Sequence, residues 1–394
     1  MKKNIVIVSG ARTGIGSFGG SLSQFEATDL GGIAIKAAVE RAGIQPEEVD
    51  EVVMGCVGQA AENAFMARVS SIKAGIPYEA TALTVNRLCS SGLQAIVTAA
   101  MEIDNGFCNI AVAGGGESMS NLPYYIRKAR FGYRMGHGEL EDGLITALSD
   151  PITRDHMGIT AENVAARYNI SREDQDEYAV MSQTRAAKAR AEGKFVDEIV
   201  PVEVKVNKKE TKIFAEDEYI REGTTVEKLA RLRPAFKADG SVTAGNASGI
   251  NDCGAAVVLM TEEEASKRGL KPIVRIVDAA VAGVDPAYMG IGPVPAVNKL
   301  LEKTGLKKED IGLYELNEAF ASQSLACIRE LGLDIEKVNV NGSGISMGHP
   351  IGATGCIITI KLMNEMVRRN EKYGIATLCI GGGQGLAVLF ELCD

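Results

Sequence analysis

The sequence predicts an α/β fold built from two copies of one unit, with a long segment inserted into the first, and three observations predict it. Gly43-Ile44-Gln45-Pro46-Glu47-Glu48-Val49, which leads into the apolar run 52–54, is matched by Gly305-Leu306-Lys307-Lys308-Glu309-Asp310-Ile311, which leads into 313–316. Residues 110–113, followed by Gly114-Gly115-Gly116-Glu117, are matched by residues 376–380, followed by Gly381-Gly382-Gly383-Gln384. Both pairs are separated by roughly 260 residues, the mark of a duplicated supersecondary unit. The same step taken from Cys89 arrives at His349.

In chain order, residues 4–8 read as a short buried strand, and residues 29–42 as an amphipathic helix that Gly43 terminates. Thr84-Val85-Asn86-Arg87-Leu88-Cys89-Ser90-Ser91-Gly92 then approaches as a strand and becomes a helix, because Leu93, Ile96, Val97, Ala100 and Met101 recur at helical spacing. Cys89 therefore falls at a helix start, where unpaired backbone N–H groups and the helix dipole stabilise a thiolate. A lowered thiol pKa and a nucleophilic role are expected of it. The ordinary reading of a single cysteine is a buried packing residue, and only its partners can displace that reading.

Residues 120–249 differ in texture. They open with Tyr124, Tyr125, Arg127, Lys128, Arg130, Phe131, Tyr133 and Arg134, and continue as one helix over about 158–191. Val202-Glu203-Val204-Lys205-Val206 alternates like an exposed strand, and Lys208, Lys209 and Lys212 read first as its solvated edge. This segment is expected to be an inserted loop domain over the substrate. The division is 1–119 plus 250–270 for the N-terminal half, 120–249 for the insertion and 271–394 for the C-terminal half. The small side chains of Thr243-Ala244-Gly245-Asn246-Ala247-Ser248-Gly249 permit close approach of a ligand to the backbone.

In the second copy a helix is expected over 295–304. Asn317 and Glu318 mark a strand-to-helix corner. Ser346-Met347-Gly348-His349-Pro350 precedes a helix that runs to about Arg369, and proline at a first helical position would place His349 at or beside the N-cap, as Cys89 is in its own copy. If the halves pack about a pseudo-twofold axis, nucleophile and base meet at the centre. Cys379 ends a buried strand beside glycine N–H groups, where a thiol can exchange protons with a bound reactant and the amides can hold an oxyanion.

Composition narrows the function. A chain of 394 residues with 46% hydrophobic content holds one large core or two ordinary ones, and a net charge of −9 argues against a general nucleic-acid surface. Eight cysteines without CxxC spacing read as reduced thiols, hence a cytoplasmic protein. No apolar run approaches the ~20 residues that span a bilayer, so no membrane is expected. His137, His156 and His349 are the only histidines, and no clustered Cys/His spacing suggests a metal.

With these residues in hand the chain resembles the thiolases along essentially its whole length. The resemblance rests on Asn86-Arg87-Leu88-Cys89-Ser90-Ser91-Gly92, 114–120, His156-Met157-Gly158-Ile159-Thr160-Ala161-Glu162-Asn163, 317–320, Gly348-His349-Pro350 and Cys379-Ile380-Gly381-Gly382-Gly383. It implies a five-layered αβαβα thiolase fold of two βαβαβαββ halves with an inserted loop domain, assembled as a homo-oligomer, dimer or tetramer.

The resemblance also implies roles. Cys89 accepts the acyl group from coenzyme A, His349 takes its proton, and Cys379 handles the α-proton of the second acetyl group. Asn317, through a water, and His349 form one oxyanion hole; the N–H groups of Cys89 and Gly381 form the other. His156, Met157, Arg221, Phe236, Ala244 and Ser248 match coenzyme A contacts, and Ala319 and Phe320 close the pantetheine tunnel. Acetyl-CoA, acetoacetyl-CoA and CoA are the expected partners, as substrates and products, with no separate cofactor.

His156-Met157-Gly158 and Met289 resemble the short-chain, acetoacetyl-forming class, in which Met289 narrows the acyl pocket. The stretch from Cys89 to Gln94 is shared with degradative enzymes of longer 3-oxoacyl chains, the alternative. Phe65-Met66-Ala67-Arg68 and Gly342-Ser343-Gly344-Ile345-Ser346-Met347 depart from the Asn-Pro-Ala-Arg and Gly-Gly-Ala-Ile-Ala-Leu of many relatives. A decarboxylating ketoacyl-synthase-type enzyme carries His or Asn where this chain has Cys379, and an inactive acyl-CoA-binding scaffold has no need of Cys89, His349 and Cys379 together.

Overall fold

The computed structural model describes residues 2–393. Nine strands follow one another in space as Leu313–Leu316, Tyr373–Ile380, Gln384–Leu392, Val274–Gly283, Ile5–Thr13, Asn251–Thr261, Ile110–Ser118, Glu51–Gly55 and Thr81–Val85. The last five belong to the first copy, the first four to the second. In each copy parallel pairing at the outer edge gives way to two antiparallel partners. The copies join where Ile5 pairs with Ile276 and Ile7 with Val274.

The second copy lacks an equivalent of the edge strand Thr81–Val85. In its place Val338 makes a single bridge to Tyr314. Asn339 follows in a left-handed conformation (φ 49°), which breaks the strand, and its side chain bonds both backbone groups of Leu316 instead, at 2.9 and 2.7 Å. The helix caps repeat too: Ala27–Ala42 and Pro293–Thr304 end on left-handed Gly43 and Gly305.

Strand periodicity sorts the side chains into layers. Ile5 and Ile7 join a central cluster with the helices Ser91–Asn105 and Thr354–Arg369, whereas Val6 and Val8 face an outer cluster with Ala27–Ala42. Leu386, Val388 and Phe390 likewise point to the centre, while Ala387 and Leu389 face Pro293–Thr304 and Ala321–Leu331. Helix, sheet, helix, sheet and helix make five layers, and the two central helices are those that follow Cys89 and His349.

Between Ser118 and Asn251 the chain forms helices, a hairpin of Val202–Lys205 with Thr211–Phe214, and long loops. The single helix expected over 158–191 is two, Met157–Arg167 and Arg172–Ala191. Asn169 turns left-handed (φ 50°), and Ser171 starts the second helix through a reciprocal capping box with Asp174. Val202 and Val204 are buried and Glu203 and Lys205 exposed, as the alternation requires, with Lys208, Lys209 and Lys212 in solvent. A fully buried Arg12 on the first strand holds Asp217 at 2.7 and 3.0 Å and Glu198 at 3.1 Å, fastening this segment to the sheet.

Candidate active site

Cys89 stands on a turn between strand Thr81–Val85 and helix Ser91–Asn105. Leu88 adopts φ 47°, unfavourable for a residue with a side chain, and local bonds hold it there. Arg87 N–H donates to Ser91 Oγ (2.9 Å), Ser91 Oγ donates to Leu88 O (2.7 Å), and Leu88 N–H donates to Asn86 Oδ1 (2.9 Å). The N–H groups of Gly381 and of Cys89 itself face the sulfur and favour its charged form.

These donors do not lower its pKa as the sequence suggested. Burial outweighs them and pushes the thiol up, to about 11, with the carboxyl of Glu117 adding to the rise. At neutral pH the Cys89 thiol therefore keeps its proton.

His349 follows Gly348, whose φ of 113° only glycine adopts readily. It is not at a helix N-cap, as its proline neighbour implied. Pro350 instead opens a turn in which the N–H groups of Ala353 and Thr354 donate to Pro350 O at 2.8 and 3.0 Å, and the helix begins at Thr354. The His349 N–H donates to Asn251 Oδ1 (2.9 Å), and Nδ1 lies 2.7 Å from Thr354 Oγ1. Burial lowers the imidazole pKa to about 4, so it is neutral at pH 7.

Asn317 leaves strand Leu313–Leu316 and brings Nδ2 to 3.4 Å from His349 Nε2. Its Oδ1 is buried without a partner, an acceptor free to take a donor in the site. Cys379 ends strand Tyr373–Ile380, wholly buried, and burial together with the neighbouring Cys89 and Cys327 raises its pKa well above the usual thiol value. Gly382 and Gly383, at φ 79° and 83°, make the turn that aims the Gly381 N–H at Cys89.

A cavity of about 540 Å³ opens onto Cys89 and His349. His156, Met157, Arg221, Phe236, Ala244, Ser248, Met289, Ala319 and Phe320 all line it; Asn317, Cys379 and Gly381 stand behind its wall. His156 stacks on Phe236 (4.8 Å between centroids), and Phe236 meets Phe320 edge-on at 6.2 Å, giving a slot of rings. At the far end the Arg221 guanidinium lies over the Tyr219 ring at 4.8 Å. Two larger surface hollows, about 770 and 800 Å³ beside Lys271, hold none of these groups.

Several participants escaped the sequence reading. Glu117 accepts from the N–H groups of Val57, Gly58 and Gly352 at 2.9–3.0 Å, joining both copies beneath Cys89. A carboxylate directly after three glycines of a buried strand was the available signal. Asn251 and Thr354, which hold His349, carried none, since neither belongs to a motif that marks a site. Among the described residues no group of three or more His, Cys, Asp or Glu is placed to hold a metal ion, and no helix is long and apolar enough to cross a membrane.

Two layered halves, with a cysteine and a histidine presented by equivalent loops, define a class of enzyme known from many proteins. Residues 5–263 match the model of the thiolase N-terminal domain, and residues 270–392 that of the thiolase C-terminal domain. The beta-ketothiolase BktB of Cupriavidus necator is 51% identical over 393 residues, covering 99% of this chain and 100% of the relative. The acetyl-CoA acetyltransferase of Bacillus anthracis superposes with a TM-score of 0.97 at 50% identity, over 100% of this chain and 99% of that one. Human mitochondrial 3-ketoacyl-CoA thiolase in complex with CoA superposes with a TM-score of 0.96 at 45% identity, over 100% and 98%. The chain belongs to the thiolase family.

Proposed function

We propose that this enzyme catalyses the reversible condensation of two acetyl-CoA to acetoacetyl-CoA and free CoA through an acyl-cysteine intermediate. The observation that carries the reading is the sulfur of Cys89 held against the Gly381 N–H, with Cys379 beside it and His349 on the same cavity. The Cys89 sulfur attacks the thioester carbonyl while His349 Nε2 takes its proton, and CoA leaves as the thiol. With the thiol at about 11 and the imidazole at about 4, no thiolate–imidazolium pair forms in advance; proton transfer accompanies attack. Cys379 then removes the α-proton of a second acetyl-CoA, and the resulting carbanion displaces Cys89 from the acyl carbon. His349 with Asn317, the latter through a water, holds one oxyanion, and the N–H groups of Cys89 and Gly381 hold the other, each donor worth ~3–4 kcal/mol.

The ring slot and Arg221 suit the pantetheine arm and nucleotide of coenzyme A, which enters as substrate and leaves as product. Residues 120–249 serve as the loop domain that binds it, between an N-terminal half of 1–119 plus 250–270 and a C-terminal half of 271–394. Met289, 2% exposed at the end of the cavity, favours the acetyl-specific reading. A homo-oligomer fits the uncovered edge strand Thr81–Val85 and the exposed apolar loop carrying Phe131 and Met135. Eight cysteines without CxxC or framework spacing fit a cytoplasmic setting.

The test mixes purified protein with acetoacetyl-CoA and CoA and follows loss of the 3-oxo thioester, with 3-oxooctanoyl-CoA run in parallel. Faster turnover of the longer substrate assigns the chain to degradative 3-ketoacyl cleavage instead. Binding of CoA with no turnover of either makes it a scaffold.

A further inference from the structure

We infer that Thr354 is the positioning residue that fixes the tautomer of His349, leaving Nε2 as the proton acceptor; the inference rests on the role of His349 as base. Thr354 Oγ1 lies 2.9 Å from Pro350 O and 2.7 Å from His349 Nδ1. Two oxygens at 2.9 Å repel unless a hydrogen lies between them, and the carbonyl has none to give. The single hydroxyl hydrogen of Thr354 is therefore directed to Pro350 O. What Oγ1 offers Nδ1 is a lone pair, so the hydrogen of that 2.7 Å contact belongs to Nδ1.

With Nδ1 protonated and the ring neutral, Nε2 carries the free lone pair. Asn317 Nδ2 stands 3.4 Å from Nε2 and 3.5 Å from Nδ1, so it favours neither nitrogen, and the assignment rests on the two contacts of Thr354 Oγ1. Thr354 is 3% exposed, and the same turn that moves the helix start from His349 to Thr354 brings its hydroxyl back over the ring. Asn251 completes the cradle by accepting the His349 N–H while its own Nδ2 donates to Gly16 O at 3.0 Å. Threonine here does for the ring what a carboxylate does in a serine–histidine–aspartate arrangement, but without a charge. A carboxylate would stabilise the imidazolium and raise a pKa that burial holds near 4. A neutral acceptor orients the base and leaves that low value in place.

The chain has three histidines, so nitrogen-15 spectra of histidine-labelled protein can resolve each ring. In the unmodified enzyme at pH 7 the His349 ring should be a single tautomer with hydrogen on Nδ1. Thr354→Val, which keeps the shape and removes the hydroxyl, should give a tautomer mixture and slow acylation of Cys89 by about 10- to 100-fold, with KM for acetoacetyl-CoA nearly unchanged. Thr354→Ser should restore both the spectrum and the rate. A hydrogen on Nε2 in the unmodified enzyme, or a Val variant with an unchanged ring spectrum, overturns the assignment, and the first of these needs no variant to fold. If the tautomer follows residue 354 while the enzyme turns over no CoA thioester, the assignment stands and the proposed reaction falls.

Discussion

Gly92 and Gly355 meet reciprocally across the middle of the molecule. A β-carbon on Gly355 would lie 2.2 Å from the backbone nitrogen of Leu93, and one on Gly92 would lie 2.9 Å from that of Cys356. The two helices that follow the cysteine and histidine loops thus touch backbone to backbone, and this contact sets the distance between Cys89 and His349.

Gly355→Ala should therefore destabilise the protein by about 1–3 kcal/mol, although alanine is by itself the better helix former. Backbone cannot yield as a side-chain end does, so the helices must separate. Thermal unfolding and acylation kinetics on one preparation check this. Lower melting with an unchanged acylation rate would show that the crossing does not set the site.

The two sulfurs should separate by step. Cys89→Ala should abolish transfer of labelled acetyl to the protein, while Cys379→Ala should still acylate slowly but condense at least about 100-fold more slowly. Mass spectrometry of the trapped adduct locates it; an adduct on Cys379 alone would exchange the roles.

How much of this was legible depended on whether a feature repeats. The copies were legible because Gly43 and Gly305 close equivalent helices and the two triple-glycine segments belong to equivalent strands, although Gly114–Gly116 continue strand Ile110–Ser118 whereas Gly381–Gly383 turn the chain after Ile380. The edge strand around Val338 was not, because one side chain, Asn339, replaces a backbone ladder there. Cys89 stood out by its place at a helix start and His349 by the repeat spacing, and both line one cavity, yet the expected thiol pKa had the wrong sign, since a helix start advertises donors and sequence hides burial. His349 was expected at or beside an N-cap because proline suits a first helical turn, whereas the cap is Ala353. The non-helical turn at 350–353, which brings Thr354 to the ring, has no local signature.

His349 should also shape acid stability. Its folded pKa, about 4, lies below the ordinary 6.5, so between these values the unfolded chain binds a proton that the folded chain does not. Stability from this group is complete above about 6.5 and declines as pH falls toward 4. Urea unfolding at pH 7 and pH 5 should show His349→Asn losing about 2 kcal/mol less than the unmodified protein over that interval. Equal losses would mean that the imidazole is protonated in the folded state.

Met289 sits in the turn Pro286–Ile291, and Cys327 Sγ donates to the carbonyl of the next residue, Gly290, at 3.3 Å, which fixes its depth. Met289→Ala should raise the ratio of kcat/KM for 3-oxooctanoyl-CoA over acetoacetyl-CoA by about tenfold or more, since a few methylenes of pocket are worth that much. An unchanged ratio would place the limit on chain length elsewhere in the cavity.

The last expectation concerns a charge inside the central layer. Lys361 Nζ, on helix Thr354–Arg369, lies 2.9 Å from Glu315 Oε2 and donates to Gly342 O as well, and both side chains are 3% exposed or less. Burial pushes the Glu315 carboxyl up, to about 7, against the pull of the ammonium. Glu315 lies two residues before Asn317, and Gly342 opens the loop that leads to His349, so the pair ties both to one helix. Lys361→Met should cost about 1–3 kcal/mol, because it leaves the buried Glu315 carboxyl and the Gly342 carbonyl without their donor, whereas Lys361→Met with Glu315→Leu should recover most of that loss. If activity recovers with stability in the double variant, the pair serves the fold. If stability returns while kcat stays low, the charge itself holds Asn317 and His349 in register, and a double variant no more stable than the single one would show that the pair's worth lies in the bond to Gly342 O.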